Sequence, residues 1–302
     1  MNMKPSSKIK YCSGMFTISL AMVISICLAS PAPASSSGEF SFKSPIRIAE
    51  GPGGNLLVSD HTQKSVFFVS KKNGKIIKGF PVTGHPLGVA YHNGSVFVGN
   101  SSLKRIQVFT QSGILKFTFT RLVKKPNDIA IHTASRRLYV TDSQRWNVKV
   151  FNLDGDFLFK IEQNLKAPTG IAIDDVNDIL WVSDNGKVAT GIRPTIQAYD
   201  LDGNPLGAIS SKMGMFGGRF SRPQGLAVNS SGYVLMVDSY SSEVLVFSGL
   251  SGNLMKTISG FGTGPGKMQL PYDIVLERHS NDLFVTNNRM KKIEIFRNGG
   301  SL

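Results

Sequence analysis

The sequence predicts an all-β protein, a six-bladed β-propeller with four antiparallel strands in each blade. Two observations support this prediction: a phrase that recurs six times, and the lack of sustained helical periodicity between its copies. Each copy starts at a proline and continues through an apolar run and a turn. It then reaches an apolar triplet followed by one residue and Asp or Asn. The six prolines are Pro45, Pro86, Pro126, Pro168, Pro223 and Pro271.

The third copy shows the phrase most fully. Residues 126–131 lead through a turn to residues 138–142, and a further apolar run follows at residues 148–151 before the Asp154–Gly155 turn. A single small sheet of this kind cannot bury both of its faces. Six such sheets arranged radially cover one another and close a ring.

The end of the chain requires a closing element. After residues 293–296 only Arg297 and a short tail, 298–302, remain, so the last blade lacks an outer strand. Residues 40–42 alternate in polarity and have no other sheet to join. We therefore predict that a strand within residues 35–44 pairs into the last blade and protects its edge. The propeller itself is expected to span residues 45–297.

The N-terminus has the features of a secretory signal peptide. A basic stretch contains Lys4, Lys8 and Lys10, an uncharged apolar run covers residues 15–28, and residues 32–34 form a small-residue cleavage site. The apolar run is short for a membrane span. We expect residues 1–34 to be removed and the protein to be secreted or periplasmic.

Cysteine usage adds one alternative and one consequence. Cys27 would be the acylated residue of a lipoprotein signal, but Ile26 before it is the wrong residue type for that signal. Cleavage after Ala34 would remove both Cys12 and Cys27, which leaves no disulfide and no thiolate ligand. Loss of three N-terminal lysines lowers the formal net charge from +14 to +11. This surplus favours an anionic partner.

The repeated phrase resembles the NHL repeat. Two glycine-rich segments before a blade-opening proline, residues 214–223 and 260–271, strengthen the resemblance, which covers residues 45–297. It implies an exported member of the NHL six-bladed propeller family. It implies little about function, because propellers host many activities.

The resemblance directs attention to the second residue after each proline, where the family usually has glycine. Arg47, Asp128 and Asp273 depart from that pattern. Asp128 belongs to the third blade and Asp273 to the sixth, so the two lie on opposite sides of the axis. Together with Asn127 and Tyr272 they are candidates for holding a cation or polar ligand at the channel mouth. The alternative is that they hydrogen-bond to neighbouring backbone.

Similar propellers include a lyase that uses metal-bound histidine and lactonases that use a channel carboxylate and asparagine cluster. Near the starts of the inner strands this sequence has only one histidine, His85, and the two carboxylates named above. We therefore assign no catalytic residue, metal or cofactor. A metal-dependent lactonase or lyase-like enzyme at the channel remains the alternative.

Two repeated positions suggest chemistry but favour a structural explanation. One is the series Asp60, Asn100, Asp142, Asp184, Asp238 and Asn287, which precedes a loop in every copy and is expected to cap that turn. The other contains His92 and His132 at the ends of inner strands. A metal rim there would need converging ligands, so shaping of the next turn is the preferred interpretation.

The loops after the Asp and Asn series all belong to one face of a propeller, and the fourth loop is the longest. They are rich in cations and include exposed aromatics, which predicts a partner-binding face. The alternative is a solvated rim of ordinary lysines. The proposed binding residues are Lys104, Arg145, Trp146, Arg193, Tyr240, Arg289 and Lys291.

Three functional classes follow. The preferred one is an exported, monomeric binding module for a protein or an anionic polymer of the cell envelope. The others are the channel-centred enzyme and a purely structural envelope protein. Some cytoplasmic NHL domains bind single-stranded RNA through a basic face, but export disfavours nucleic acid here.

Overall fold

Six antiparallel sheets build the computed structural model, which describes residues 41–119, 122–211 and 219–301. Their number and strand order confirm the predicted six-bladed β-propeller. The predicted signal peptide lies outside the described residues. Within the described residues, no helix combines the length and apolarity that crossing a membrane requires.

Each of the first five blades has four strands in chain order, and the sixth has three among the described residues. The first blade comprises β1 (Pro45–Glu50), β2 (Leu56–Asp60), β3 (Ser65–Val69) and β4 (Ile76–Pro81). The second comprises β5 (Pro86–His92), β6 (Ser95–Asn100), β7 (Arg105–Thr110) and β8 (Leu115–Thr118). The third comprises β9 (Pro126–His132), β10 (Arg137–Asp142), β11 (Asn147–Asn152) and β12 (Phe157–Ile161).

The fourth blade comprises β13 (Pro168–Asp174), β14 (Ile179–Asp184), β15 (Thr195–Asp200) and β16 (Pro205–Ser210). The fifth comprises β17 (Pro223–Val228), β18 (Val234–Asp238), β19 (Glu243–Phe247) and β20 (Leu254–Ile258). The sixth comprises β21 (Pro271–Glu277), β22 (Asp282–Asn287) and β23 (Lys292–Phe296). Three short 3₁₀ turns span Pro52–Gly54, Val188–Thr190 and Gly249–Ser251.

Burial explains why the second strands read as nearly continuous apolar runs. Every residue of β6 and of β18 is buried, because a neighbouring blade covers each side of the sheet. The outer strands are different: in β20 only the last residue is buried. Apolar alternation is therefore weakest at the outer edge of each blade.

The hydrophobic core consists of six clusters, each lying between two neighbouring blades. One joins the third and fourth blades through Tyr139, Ile171 and Tyr199, and equivalent clusters lie at the other junctions. Stability therefore depends on contacts between successive blades around a closed ring, as in other repeat architectures.

The predicted closing strand falls mostly on residues outside the described part of the chain. Residues 35–40 are not described, residues 41–44 form no strand, and the described part of the last blade has three strands. Phe42 is buried against Phe284 and Ile293 between the last and first blades. An alternating segment with a large aromatic can enter an interblade core as readily as it can extend a sheet edge.

Polar contacts complete the closure. The Asn288 side-chain amide donates to Ser44 Oγ and to the Pro45 carbonyl, each at 3.0 Å. Thr286 Oγ1 donates to the Ile46 carbonyl at 2.9 Å. The first and last blades are thus joined by side-chain hydrogen bonds to the start of β1, near the axis.

Candidate functional site

The second residue after each blade-opening proline lies at the waist of the axial channel. Three of these positions are glycine, and the structure shows why. A Cβ at Gly225 would lie 1.9 Å from Asp273 Oδ1, and a Cβ at Gly170 would lie 2.1 Å from the Gln224 carbonyl oxygen. The larger side chains at the waist therefore fit because the glycines leave room for them.

Arg47 closes this waist. Its Nη1 lies 3.3 Å from Asp128 Oδ2 and 3.3 Å from Asp273 Oδ1. Its Nε donates to the Asn127 carbonyl at 3.1 Å, and its Nη2 donates to the Thr169 carbonyl at 3.0 Å. The first blade thus contacts the third, fourth and sixth blades through one buried guanidinium.

The two aspartates also bond the next blade. Asp128 Oδ2 accepts the Ile171 N–H of the fourth blade at 3.1 Å, and Asp273 Oδ2 accepts the Ile48 N–H of the first blade at 2.9 Å. These are the backbone contacts that the sequence left open as an alternative to ligand binding. The carboxylates serve the same purpose at two junctions three blades apart.

One guanidinium faces two carboxyls, and the burial of these carboxyls raises their pKa values. Burial raises the pKa of Asp128, and the Arg47 charge opposes that rise. Burial and then the Asp128 charge raise the pKa of Asp273 to about 8, again against Arg47. The triad therefore approaches electrical neutrality when Asp273 holds a proton. Arg47 occupies the place between the carboxyls that a bound cation would need, and no group of three or more His, Cys, Asp or Glu converges within the described residues.

The triad separates two cavities. On the side where the inner strands end, a cavity of about 250 Å³ is lined mainly by aliphatic residues such as Ile48, Ile129 and Ile171, with both aspartates at its floor. On the side where the inner strands begin, a larger cavity of about 600 Å³ is polar. We call the larger one the axial mouth, and Asn127 and Tyr272 both line it.

Three equivalent positions of the repeat supply the wall of the axial mouth. The residues after the blade-opening prolines are Ile46, Leu87, Asn127, Thr169, Gln224 and Tyr272. Those before the prolines are Ser44, Lys125, Ala167 and Arg222, and those after the capping Asp or Asn are His61, Ser101, Ser143, Asn185 and Asn288. With Arg47 at the floor, this lining contains no carboxylate.

Sequence reasoning missed most of this lining. The signal was present, because each residue sits next to a repeated proline or a repeated Asp or Asn. Lys125 and Arg222 were the informative ones: they directly precede prolines of the third and fifth blades. The prediction started from the second residue after the proline, which points to the waist, and included only two of the neighbours that line the mouth, Asn127 and Tyr272.

The capping acids near the mouth are hydrogen-bonded to main-chain N–H groups. Asp142 accepts the N–H groups of Lys124 and Lys125 at 2.7 and 2.9 Å, and Asp238 accepts that of Arg222 at 3.1 Å. Both carboxylates are buried, 0% and 1% exposed. These contacts confirm the predicted capping role and leave the side chains of Lys125 and Arg222 without a carboxylate partner in the described part of the chain.

One uncharged polar group in the mouth also lacks a partner. Asn185 Oδ1 is buried and has no hydrogen-bond partner among the described residues. Gln224, 4% exposed, lines the same cavity. A buried polar atom without a partner costs free energy unless water or a ligand satisfies it.

His61 and His85 form a stacked pair beside the mouth, with ring centroids 4.5 Å apart. Burial lowers the pKa of His61, and the neighbouring His85 lowers it further. His61 is therefore uncharged at neutral pH, and the positive charge of the mouth comes from Lys125, Arg222 and the paired Arg47.

The cationic loops surround this same mouth. In every blade the proline that begins the inner strand pairs with the Asp or Asn that ends the second strand, as Pro126 does with Asp142. The loops after the second strands therefore lie on the side of the disc where the axial mouth opens. We call this side the looped face.

The predicted partner-binding residues are all exposed on the looped face. Trp146 is 56% and Tyr240 78% exposed. The other five are the cations Lys104, Arg145, Arg193, Arg289 and Lys291. In the longest loop, Lys187 and Ile192 form a bridge that holds Arg193 at the rim.

The opposite face has a different charge pattern. Its turns contain most of the exposed acids, and several pair with local cations, such as Asp175 with Arg278 at 2.6 Å and Asp202 with Arg137 at 2.7 Å. On the looped face, the described acids outside the buried caps include Glu162, which pairs with Lys160 at 2.8 Å, Glu294, which pairs with Lys292 at 2.7 Å, and the half-buried Glu243.

Polar residues at the ends of the inner strands shape turns, as predicted. His132 bonds Ser135 Oγ at 2.8 Å, and Asp174 accepts the Val176 N–H at 3.0 Å. No shared ligand position is formed by these residues in the described ranges.

Comparisons with known proteins identify the fold. The chain matches no protein-family model and no curated protein by sequence. Among solved structures it is similar to a gluconolactonase from Xanthomonas campestris, with 17% identity, a TM-score of 0.66, and coverage of 86% of this chain and 87% of that one.

Two further solved structures are similar. Virginiamycin B lyase from Staphylococcus aureus has 16% identity and a TM-score of 0.61, covering 87% of this chain and 85% of that one. A structure of the nidogen/laminin complex has 19% identity and a TM-score of 0.59, covering 80% and 93%. At these identities the likeness is one of fold, and the neighbours include both enzymes and a binding protein.

Proposed function

We propose that this chain is an exported binding module that docks an acidic protein or an anionic polymer on its looped face. The observation that supports this most strongly is the separation of charge. The repeat places carboxylates on the looped face but buries them as caps, whereas the loop cations remain exposed around a polar depression. Such a surface attracts anions over long range.

The exposed aromatics fit the same function. Trp146 and Tyr240 lie among the loop cations, and aromatic residues with arginine are enriched where proteins bind other proteins. The neighbour from the nidogen/laminin complex shows that this fold occurs in protein assemblies. We infer further that the repeat is of the NHL type and that residues 1–34 direct export.

An enzyme at the channel is the second candidate, since a gluconolactonase and a lyase share the fold. The waist chemistry favours binding over that alternative. Asp128 and Asp273 are committed to Arg47 and to backbone N–H groups, so neither is free to hold a metal or to activate water.

The test compares charge reversal on the two faces. Arg145→Glu with Lys291→Glu changes the looped face, and Lys72→Glu with Arg136→Glu changes net charge equally on the opposite face. Each pair contains one residue with positive φ, Lys291 at 54° and Arg136 at 53°, so backbone strain is matched. We expect binding to polyglutamate or heparin to weaken about tenfold or more in the first pair.

The control pair should bind nearly as well as the unmodified protein, and raising the salt concentration should weaken binding steeply. Equal loss in both pairs would show that net charge, not the looped face, governs binding. Unchanged binding in the first pair would contradict the proposal.

A further inference from the structure

We propose that the axial mouth is a ligand site for a small hydroxylated dicarboxylate, separate from the rim where the proposed partner docks. Arg47 and its two aspartates close the waist, so the mouth is a pocket with a floor and not a tunnel. Its volume of about 600 Å³ falls in the range of small-molecule sites, roughly 300 to 1,000 Å³.

The charge of the pocket selects an anion. Lys125 and Arg222 line it without a carboxylate partner in the described residues, and no acid contributes to its wall. They belong to the third and fifth blades, on either side of the fourth. A ligand with two carboxylates can pair with these two separate cations. The planar guanidinium of arginine can also donate two parallel hydrogen bonds to one carboxylate.

The uncharged lining selects hydroxyl groups. Asn185 Oδ1 is buried and has no hydrogen-bond partner among the described residues, and the side chains of Gln224, Tyr272 and Asn288 also line the pocket. A ligand hydroxyl can donate to an amide oxygen and accept from an amide nitrogen, so it satisfies groups that a bare carboxylate cannot. Few apolar side chains, such as Ile46 and Leu87, contribute to the wall.

Phosphate is a poorer match. Proteins commonly bind phosphate through clustered backbone N–H groups. In this pocket the N–H groups before the prolines are already used: those of Lys124, Lys125 and Arg222 are bound by the capping aspartates, and that of Ala167 is bound by Asp184 at 2.9 Å.

The experiment is calorimetric titration of the purified mature protein with tartrate, succinate, glucose and inorganic phosphate. We expect tartrate to bind most tightly, since it has two carboxylates and two hydroxyls. Succinate lacks the hydroxyls and glucose lacks the charges, so each should bind at least tenfold more weakly. Tighter binding of phosphate than tartrate, or no tartrate binding at millimolar concentration, would overturn the proposal.

Variants locate the site. Lys125→Gln and Arg222→Gln should each weaken tartrate binding about tenfold or more, and Asn185→Asp should abolish it by placing a carboxylate in the wall. Arg136→Gln, an exposed arginine of the opposite face, is the matched control and should bind tartrate normally. These wall cations are exposed, so folding is retained, which a thermal melt verifies.

The outcomes separate the two proposals. The sites are independent if the Arg145 and Lys291 double variant loses polyglutamate docking but binds tartrate normally. They are also independent if the Arg222 variant loses tartrate binding but docks polyglutamate normally. Tartrate binding that ignores Lys125, Arg222 and Asn185 would place the ligand elsewhere and refute the pocket assignment, whatever the result for docking.

Discussion

The two faces of the disc are made by one repeat, yet they differ in what their carboxylates do. On the looped face, Asp60, Asp142, Asp184 and Asp238 are buried and accept main-chain N–H groups. On the opposite face, Asp154, Asp156, Asp178 and others in the turns stay exposed. The repeat requires its acids on the looped face for capping, and capping removes them from the surface.

The difference explains how a repeat with an acid at the end of nearly every second strand can present a cationic face. The structural carboxylates are buried and hydrogen-bonded to main chain, so the exposed loop cations are the charges that a partner meets directly. At the channel, Arg47 balances one of the two carboxylates, the raised pKa of Asp273 favours a proton on the other, and the described lining of the mouth above them contains no acid.

The largest expected effect is at the waist. Arg47→Met leaves two buried carboxyls uncompensated, and loss of one partner in a buried ion pair costs about 3–5 kcal/mol. Urea unfolding measures this loss. The triple variant with Asp128→Asn and Asp273→Asn should recover a substantial part of the stability, because the uncompensated charges are gone. If the triple variant is no more stable than Arg47→Met, the stability lost in Arg47→Met comes from the missing packing of the Arg47 side chain and not from uncompensated charge.

The next effect is at the caps. Asp142→Ala should destabilise by about 1–3 kcal/mol, because two main-chain N–H groups and the Lys149 ammonium at 3.2 Å lose their acceptor. Asp142→Asn should cost less, since Asn occupies the equivalent position in the second and sixth blades. Equal losses from both changes, read by thermal unfolding, would mean that charge and not hydrogen-bond acceptance is required there.

A smaller effect is the pH dependence of stability. The folded pKa of Asp273, about 8, lies above its ordinary value of 3.8, so the folded state binds more protons between these limits. Its contribution to stability is therefore complete below about pH 4 and is lost as pH rises through 8. Melting temperatures of the unmodified protein should fall across this window relative to Asp273→Asn. Parallel pH profiles for the two proteins would show that Asp273 is ionised throughout.

The smallest expected effect on stability is at the loops. Arg145→Glu with Lys291→Glu should change the free energy of unfolding by no more than about 0.5 kcal/mol, because both side chains are exposed. A large loss of unfolding free energy would mean that the loop cations stabilise the contacts between blades. The proposed difference between structural capping acids and surface loop cations would then not hold.

The fold could be read from the sequence because each blade repeats the same proline, apolar triplet and Asp or Asn. The departures from glycine drew attention to Arg47, Asp128 and Asp273 as ligand candidates at the channel mouth, and the structure places the three side chains together at the waist. The side-chain pairing was not predictable, since it depends on how far the Arg47 side chain reaches across an axis whose width is a property of the closed ring. The ring also unites the Lys125 and Arg222 positions, which are far apart in the chain.

The closing segment shows the same limit. The alternation around Phe42 is compatible with an edge strand and with an aromatic anchor, and local pattern does not distinguish them. The choice depends on the interblade space beside Phe284 and Ile293, which exists only after the last blade has met the first.

The central claim, that anionic partners dock on the looped face, is tested most directly by tryptophan fluorescence. The chain has two tryptophans: Trp146 is 56% exposed on that face, and Trp181 is 1% exposed in the core. Titration with polyglutamate should change the emission of Trp146, with a midpoint that rises with salt, and Trp146→Phe should remove the change. Salt-independent binding, or binding that leaves Trp146 emission unaltered, would contradict the account.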